Sequence, residues 1–257
     1  LTGTGSNGKS TYLNMLKHML GKHNVSSLDL KKLGDRFSTV MLFGKLANIG
    51  DDISDEFIMD ASIFKKIVTG ETIDAEQKGQ PKFEFEPYVK LFFSANNIPR
   101  MGKGRDSAAI LRRLVIIPFD AKFSSDDPDY NPHIGDALRS QESMEYLIQL
   151  GLKGLKRILE TKKFSESEKV QKELEEYEES NNPVLGFIKE IELSDDFKIE
   201  NEPTSEVYKR YQEYCLANNL QPMSNIEFSK QINRILNMQV TIKRVGNKTY
   251  RVFVPKQ

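Results

Sequence analysis

A chain of 257 residues, 38% hydrophobic and 29% charged, has the composition of a globular domain with room for a small appendage, which excludes a disordered or fibrous protein. No apolar run approaches the length of a membrane span and no signal peptide is visible. Cys215 is the single cysteine, so an intrachain disulfide and a cysteine-built zinc site are excluded and a reducing, cytoplasmic compartment is expected. The histidines, His18, His23 and His133, are scattered and do not suggest a metal cluster. The net charge of zero hides a split. Residues 163–202 carry thirteen acidic and five basic side chains, whereas residues 203–257 carry three acidic and nine basic ones. An acidic connector followed by a basic tail points to nucleic acid as a partner of the tail.

The chain opens on "LTGTGSNGKSTY", in which Gly3-Thr4-Gly5-Ser6-Asn7-Gly8-Lys9-Ser10 satisfies G-x-x-x-x-G-K-[ST]. Helical spacing follows: Tyr12, Leu13, Leu16, Met19 and Leu20 share a side, and Gly21 can end the run. The strand that should precede such a loop is reduced to Leu1 and Thr2, so the sequence reads as a piece of a longer protein. "KLANIG" (45–50) reads as a buried strand and "DASIFKKIVTG" (60–70) as a helix with Asp60 as N-cap and Gly70 as stop. "TIDAEQKGQPKFEFEP" alternates on both sides of a turn at Gly79–Pro81, the pattern of a hairpin. "YVKLFFSA" (88–95) reads as a second buried strand and "RLVIIPF" (113–119) as a third. Alternating strands and helices predict an α/β domain with a central sheet up to residue 122. Residues 136–180 read as helices, 204–217 and 225–237 as two more, and "QVTIKR", "VGNK", "TYRVFV" as strand, turn, strand. The expected domains are 1–122, a helical connector over 123–182, and 183–257.

The chemistry begins at the glycine-rich loop. Its backbone N–H groups can converge on phosphate oxygens, and the helix that starts there adds its positive dipole end. Lys9 would reach the β- and γ-phosphates of ATP, and Ser10 would ligate Mg²⁺. Asp51 and Asp52 end the strand 45–50. One carboxylate at a strand tip can hold Mg²⁺ through water, and its neighbour can orient or deprotonate the attacking water. The 88–95 strand leads into "NNIPR". An amide at such a tip can bond the γ-phosphate or the lytic water, with Asn96 the candidate and Asn97 the reserve. Arg112 and Arg113 precede the 114–119 run and offer planar charge suited to a phosphate in transfer.

The ordered set — P-loop, "LANIGDD", "EQKGQPK" hairpin, "LFFSANNIP", "AILRRLVIIPF" — resembles the superfamily 3 helicases, a group of AAA+ proteins. It is most similar to the helicase part of primase–helicases of phages, plasmids and genomic islands. The resemblance covers residues 1 to 122. It implies an AAA+ P-loop core and an ATP hydrolase that acts as a replicative DNA helicase in a bacterial host cell, assembling as a ring, most simply a hexamer. It also implies that Gly3 to Thr11 bind nucleotide, that Asp51 and Asp52 form the Walker B pair, and that Asn96 is the sensor asparagine. Many relatives end that pair in glutamate, where this chain has aspartate. Arg113, with Arg112 as fallback, would be the finger that reaches a neighbouring subunit's ATP, and Arg105 a further contact in trans. The hairpin would point into a channel holding single-stranded DNA, with Lys78 and Lys82 on the phosphates. The tail reads as a small winged-helix domain carrying Lys230, Arg234, Lys243, Arg244, Lys248 and Arg251 toward duplex DNA, or serving as a protein-docking module. An alternative reading is an ATP-switched replication initiator or loader that binds origin DNA without processive unwinding.

Overall fold

The computed structural model describes every residue except 55–57, 59, 102–104, 166, 195–196, 246–247 and 257, and only the backbone at 105–107 and 245. The chain divides into two compact units. Among the described residues, one unit holds the chain up to 101 together with 109–174, and the other holds 105–108 together with 175–257. No helix among the described residues is long and apolar enough to cross a membrane.

The first unit is α/β. Helix α1 (Lys9–Leu20) buries Leu13 and Leu16, and Lys17 and His18 sit in its last turn against the negative dipole end. Gly21, at φ 81°, closes it. Strands β1 (Val25–Ser26) and β2 (Ala47–Gly50) pair in parallel, with helix α2 (Ser62–Thr69) and strands β3 (Ile73–Ala75) and β4 (Phe83–Phe85) following before β5 (Lys90–Phe93). The parallel sheet runs in the order β1-β2-β5, and β2 is buried along its whole length. Asn48 sits inside that strand with its amide satisfied. Its Oδ1 accepts from Ser26 Oγ at 2.9 Å and Leu28 N at 2.8 Å, and its Nδ2 donates to Leu28 O at 2.9 Å. Leu13, Leu16, Ala47 and Ile49 form the core between α1 and the sheet.

Leu1 and Thr2 extend this arrangement beyond β5. The Leu1 nitrogen donates to Phe93 O at 2.8 Å, and Ala95 N donates to Leu1 O at 3.0 Å. Thr2 N donates to Ile117 O at 3.0 Å, and Phe119 N donates to Thr2 O at 2.8 Å. Residues 1–2 therefore lie between β5 and residues 117–119.

Several expectations are corrected here. Residues 113–119 form no strand: only isolated bridging through Thr2 and Pro118 is present. Strand β5 is half-buried rather than buried, with Lys90 exposed. Asp60 does not occupy the cap position of α2. The helix starts one residue later, and Asp60 Oδ1 accepts from Ser62 N at 2.8 Å from outside it. The β3–β4 hairpin is present, but its turn is Gln77–Gln80, closed by Gln80 N to Gln77 O at 2.9 Å with Gly79 at φ 78°. Positive φ at the third position of the turn is what demands glycine there.

Helix α3 (Arg105–Leu111) and helices α4 (Ile134–Ala137), α5 (Gln141–Thr161) and α6 (Glu168–Asn181) follow. Ser140 caps α5, accepting from Ser143 N.

The second unit packs α7 (Pro183–Ser194), α8 (Thr204–Ala217) and α9 (Asn225–Ile235) with an antiparallel pair, β6 (Met238–Val245) and β7 (Lys248–Pro255). The expected helix over 204–217 is observed with those bounds. The 225–237 helix ends two residues early, where Asn237 takes φ 50° and turns the chain into β6. Ser224 caps α9 by accepting from Glu227 N at 3.4 Å, half of a Ser-x-x-Glu box. Two residues of the expected turn "VGNK", 246–247, lie outside the described residues. Helix α7 was not foreseen. Asn182 caps it, accepting from Val184 N at 3.2 Å, and Pro183 takes the first helical position, where a missing N–H costs nothing. The core centres on Phe228, whose ring stacks on Tyr211 at 4.5 Å and meets Phe187 at 5.9 Å. Cys215 is buried beside them, and burial pushes its thiol pKa up.

Phe228→Ala is expected to destabilise this unit by about 3–5 kcal/mol, the cost of emptying a fully buried aromatic site. Urea unfolding followed by tyrosine fluorescence measures it.

Candidate functional site

Residues 3–10 leave the sheet and enter α1 through positive φ at Gly3, Ser6 and Gly8. Gly3 takes φ 137°, and a Cβ there would lie 2.4 Å from Phe119 O. Gly8, in the left-handed region at φ 87°, is the residue before the first turn of α1. Ser6 also has positive φ, at 61°. Asn7 is buried and ties the loop both ways: its Nδ2 donates to Phe119 O at 3.0 Å, and its Oδ1 accepts from Lys9 N at 3.3 Å. Phe123 N donates to Ser6 O at 2.8 Å, so residues 119–123 are bonded to the loop at two points.

Lys9 is 8% exposed, and its Nζ donates to Gly3 O. No carboxylate lies within ion-pair distance of it among the described residues. Buried cations are ordinarily paired. This one is held by a carbonyl at the positive end of a helix, a setting that suits an anion.

Across from Lys9, the tip of β2 and the residue after β5 are tied together. Ser94 Oγ donates to Asp51 Oδ1, and Asp52 N donates to Ser94 Oγ at 2.9 Å. Ser10 Oγ lies 3.4 Å from the same Asp51 oxygen. Asp52 adopts φ 52°, which turns it out of line with the strand. The structure thus brings Ser10 and Asp51 together, with Asp52 next to them. Ser94 was missed from the sequence: a serine next to a strand tip carries no distinctive pattern, and only the parallel register of β2 with β5 puts it beside the aspartates.

Asn96 and Asn97 are exposed and directly follow Ala95, which pairs with Leu1 and Thr2. Arg112 is exposed. Arg113 is half-buried, with Nη1 donating to Ala109 O at 2.6 Å and Nε enclosed without a partner. The two arginines therefore differ: one faces solvent, and the other turns back on the end of α3. The side chain of Arg105 lies outside the described residues.

On the hairpin, Lys78 is exposed in the turn. Lys82 Nζ lies 3.8 Å from Glu76, which also takes a hydrogen bond from Arg36 at 2.8 Å through each carboxylate oxygen. That pairing holds the Glu76 carboxyl below its usual pKa, first through the Arg36 hydrogen bonds. In the second unit Lys230, Arg234, Lys243, Arg244, Lys248 and Arg251 are all exposed. Arg234 Nη2 donates to Gln231 Oε1 at 2.8 Å, and Lys243 Nζ donates to Asn201 Oδ1 at 3.2 Å.

Comparison with known proteins divides the chain much as the structure does. Residues 1–113 match a family described as "Family of unknown function (DUF5906)", and residues 179–256 match "Poxvirus D5 protein-like". The chain is similar to "Putative helicase 184R" of Invertebrate iridescent virus 6, at 26% identity over 140 residues, which is 50% of this chain and 14% of that protein. It is also similar to "Putative helicase L207/L206" of Acanthamoeba polyphaga mimivirus, at 31% identity over 137 residues, 48% of this chain and 13% of that protein. The chain thus spans about a seventh of the length of these relatives. Among solved structures it resembles the apo A form of the NrS-1 C-terminal region, with a TM-score of 0.58 at 14% identity, over 99% of this chain and 66% of that one. A second apo structure of that region, residues 305–718, gives a TM-score of 0.51 at 13% identity, over 99% and 66%. At such identity the likeness is one of fold.

Gly3→Ala is expected to cost about 1–3 kcal/mol, because both its positive φ and the contact with Phe119 O resist a side chain. Thermal unfolding of the variant against Gly5→Ala, where a Cβ meets nothing within 4 Å, isolates that cost.

Proposed function

We propose that the chain is the motor part of an ATP-dependent DNA helicase of a virus or other mobile element. The observation that carries this reading is Lys9: a nearly buried cation with no carboxylate partner among the described residues, in a glycine-rich loop at a helix start, followed by Ser10, whose Oγ lies 3.4 Å from Asp51 Oδ1. That set of donors fits a triphosphate and a hard divalent cation. Gly3 to Thr11 would wrap the phosphates with backbone N–H groups, and Lys9 would exchange the Gly3 carbonyl for the β- and γ-phosphate oxygens. Ser10 and Asp51 would hold Mg²⁺, which neutralises phosphate charge when bound. Asp52 would orient the attacking water and accept its proton as the bond to the γ-phosphate breaks, releasing ADP and phosphate. Asn96 would bond the γ-phosphate or that water.

The fold likeness and the helicase-named viral relatives support placing this site in a motor of the superfamily 3, AAA+ type. In that reading Arg113 or Arg112 completes the site of a neighbouring copy in a ring of six. The exposed Lys78, with Lys82, grips single-stranded DNA phosphates. The second unit is a winged helix that meets duplex DNA through Lys230, Arg234, Lys243, Arg244 and Lys248.

Lys9→Ala should abolish ATP hydrolysis. Asp52→Asn should retain ATP binding and lose turnover by roughly 10²-fold or more. Mixing Arg113→Ala with Lys9→Ala subunits should restore part of the hydrolysis through shared interfaces, and the same mixture with Arg112→Ala tells which arginine acts in trans. A forked substrate decides the last step. ATP turnover with strand displacement supports the helicase, and turnover without displacement supports an initiator or loader.

Lys78→Ala should lose DNA-stimulated hydrolysis and unwinding, while duplex binding by the second unit persists. Filter binding and a displacement assay on the same preparation measure both. Unimpaired unwinding would remove the hairpin from the DNA path.

A further inference from the structure

The segment after residue 117 is anchored more firmly than a surface loop requires. Phe119 N donates to Thr2 O at 2.8 Å, Asn7 Nδ2 donates to Phe119 O at 3.0 Å, and Phe123 N donates to Ser6 O at 2.8 Å. Asp120 forms an ion pair with Lys169 at 2.7 Å. The two phenylalanines on this anchored stretch have different fates. Phe119 packs its ring against Tyr12 at 5.8 Å. Phe123 is 57% exposed and, among the described residues, no aromatic ring packs against it. Its ring nevertheless lies against the glycine-rich loop: a Cβ on Gly8 would sit 3.4 Å from Phe123 Cε2.

A large apolar ring, held by fixed backbone at the lip of a polar anion-binding loop, is poorly used by packing alone. It lies beside Gly8, the residue from which α1 begins, and more than half of it is exposed. That placement suits a flat, apolar partner attached to the phosphates. Aromatic side chains stack on nucleobases without needing hydrogen bonds, because every base has a π-face.

We propose that Phe123 is the base-stacking residue of the nucleotide site, taking the purine ring of a nucleoside triphosphate whose phosphates lie in the Gly3–Ser10 loop. The inference rests on the reading of that loop as a nucleotide site and adds the element that binds the base. It predicts that the site distinguishes a nucleoside triphosphate from a bare triphosphate through this ring.

The test compares ATP with inorganic tripolyphosphate, both with Mg²⁺, by titration calorimetry. Phe123→Ala should weaken ATP binding by about tenfold, the scale of one base–aromatic stack, and leave tripolyphosphate affinity unchanged. Phe123→Trp adds a second readout. The chain has no tryptophan, so the introduced indole is the only one, and ATP should quench its emission while bound tripolyphosphate does not. The inference is overturned if Phe123→Ala binds ATP like the parent, or if it loses ATP and tripolyphosphate equally, which would make the ring a prop for the loop. Lys9→Ala separates the two readings. It should lose both ligands, and a parent that binds neither removes the nucleotide site itself and the stacking role with it.

Discussion

Thr2 is the point on which the first unit turns. Its backbone bonds Ile117 and Phe119 on one side, while Leu1 before it bonds Phe93 and Ala95 on the other. Beyond Thr2 the chain changes direction. Gly3 does this at φ 137°, with Phe119 O where any Cβ would go. The loop that follows is therefore built against a wall made by residues 117–123. Asn7 reads that wall through Phe119 O and, through Lys9 N, the start of α1. Position of the loop, start of the helix and placement of the Lys9 amine all descend from one pair of parallel contacts.

The same register explains why the acids stand where they do. β2 pairs with β5 from Ala47–Lys90 to Gly50–Phe93, so the residues just past both tips are neighbours. Gly50 has Phe93 Cδ1 at 2.8 Å and Leu28 O at 2.9 Å from a notional Cβ, which leaves no space for a side chain at the strand's end. Polar residues begin immediately beyond it. Ser94 then bridges Asp51 and the backbone of Asp52, and orients the first while fixing the unusual φ of the second. A serine as bridge is apt, since one hydroxyl can donate to a carboxylate and accept from an N–H at once.

Much of this was legible in the sequence because periodicity and motif spacing are local properties. The apolar side of α1, the continuous apolar run of β2, the alternation around Gly79 and the helix at 204–217 each follow from short-range chemistry. The glycine-rich loop was legible for the same reason: its positive φ values are demands on individual residues. What failed was non-local. Residues 113–119 have strand composition, yet strand pairing is decided by neighbours elsewhere in the fold, and among the described residues only an isolated bridge at Pro118 is present. Helix α7 was overlooked because its composition is largely apolar and its amphipathic pattern weak, although Asn182 and Pro183 mark its start. Ser94 and Phe123 carry no motif at all. Their positions matter only after the sheet and the 117–123 segment have been placed, and that placement is a tertiary fact.

The two hairpin lysines show how structure separates residues that sequence treats alike. Lys82 lies 3.8 Å from Glu76, whose carboxylate is already clasped by Arg36 at 2.8 Å through both oxygens. A bidentate clasp of this kind is the stronger geometry, and it keeps Glu76 ionised to lower pH than an isolated carboxylate. The sign follows: the clasp is intact above the ordinary carboxylate range and is lost as pH falls through the lowered value of Glu76. Over the neutral range, Lys82 therefore shares one ionised carboxylate with Arg36, and the group of two cations and one anion keeps a net positive charge. Lys78 has no such neighbour among the described residues and stands in the turn itself, beside Gly79. The Coulomb attraction of an exposed lysine for a polyanion is shared with every nearby carboxylate. On that ground, Lys78 is the hairpin lysine with no carboxylate neighbour among the described residues, while Lys82, 3.8 Å from Glu76 and exposed, shares that carboxylate with Arg36.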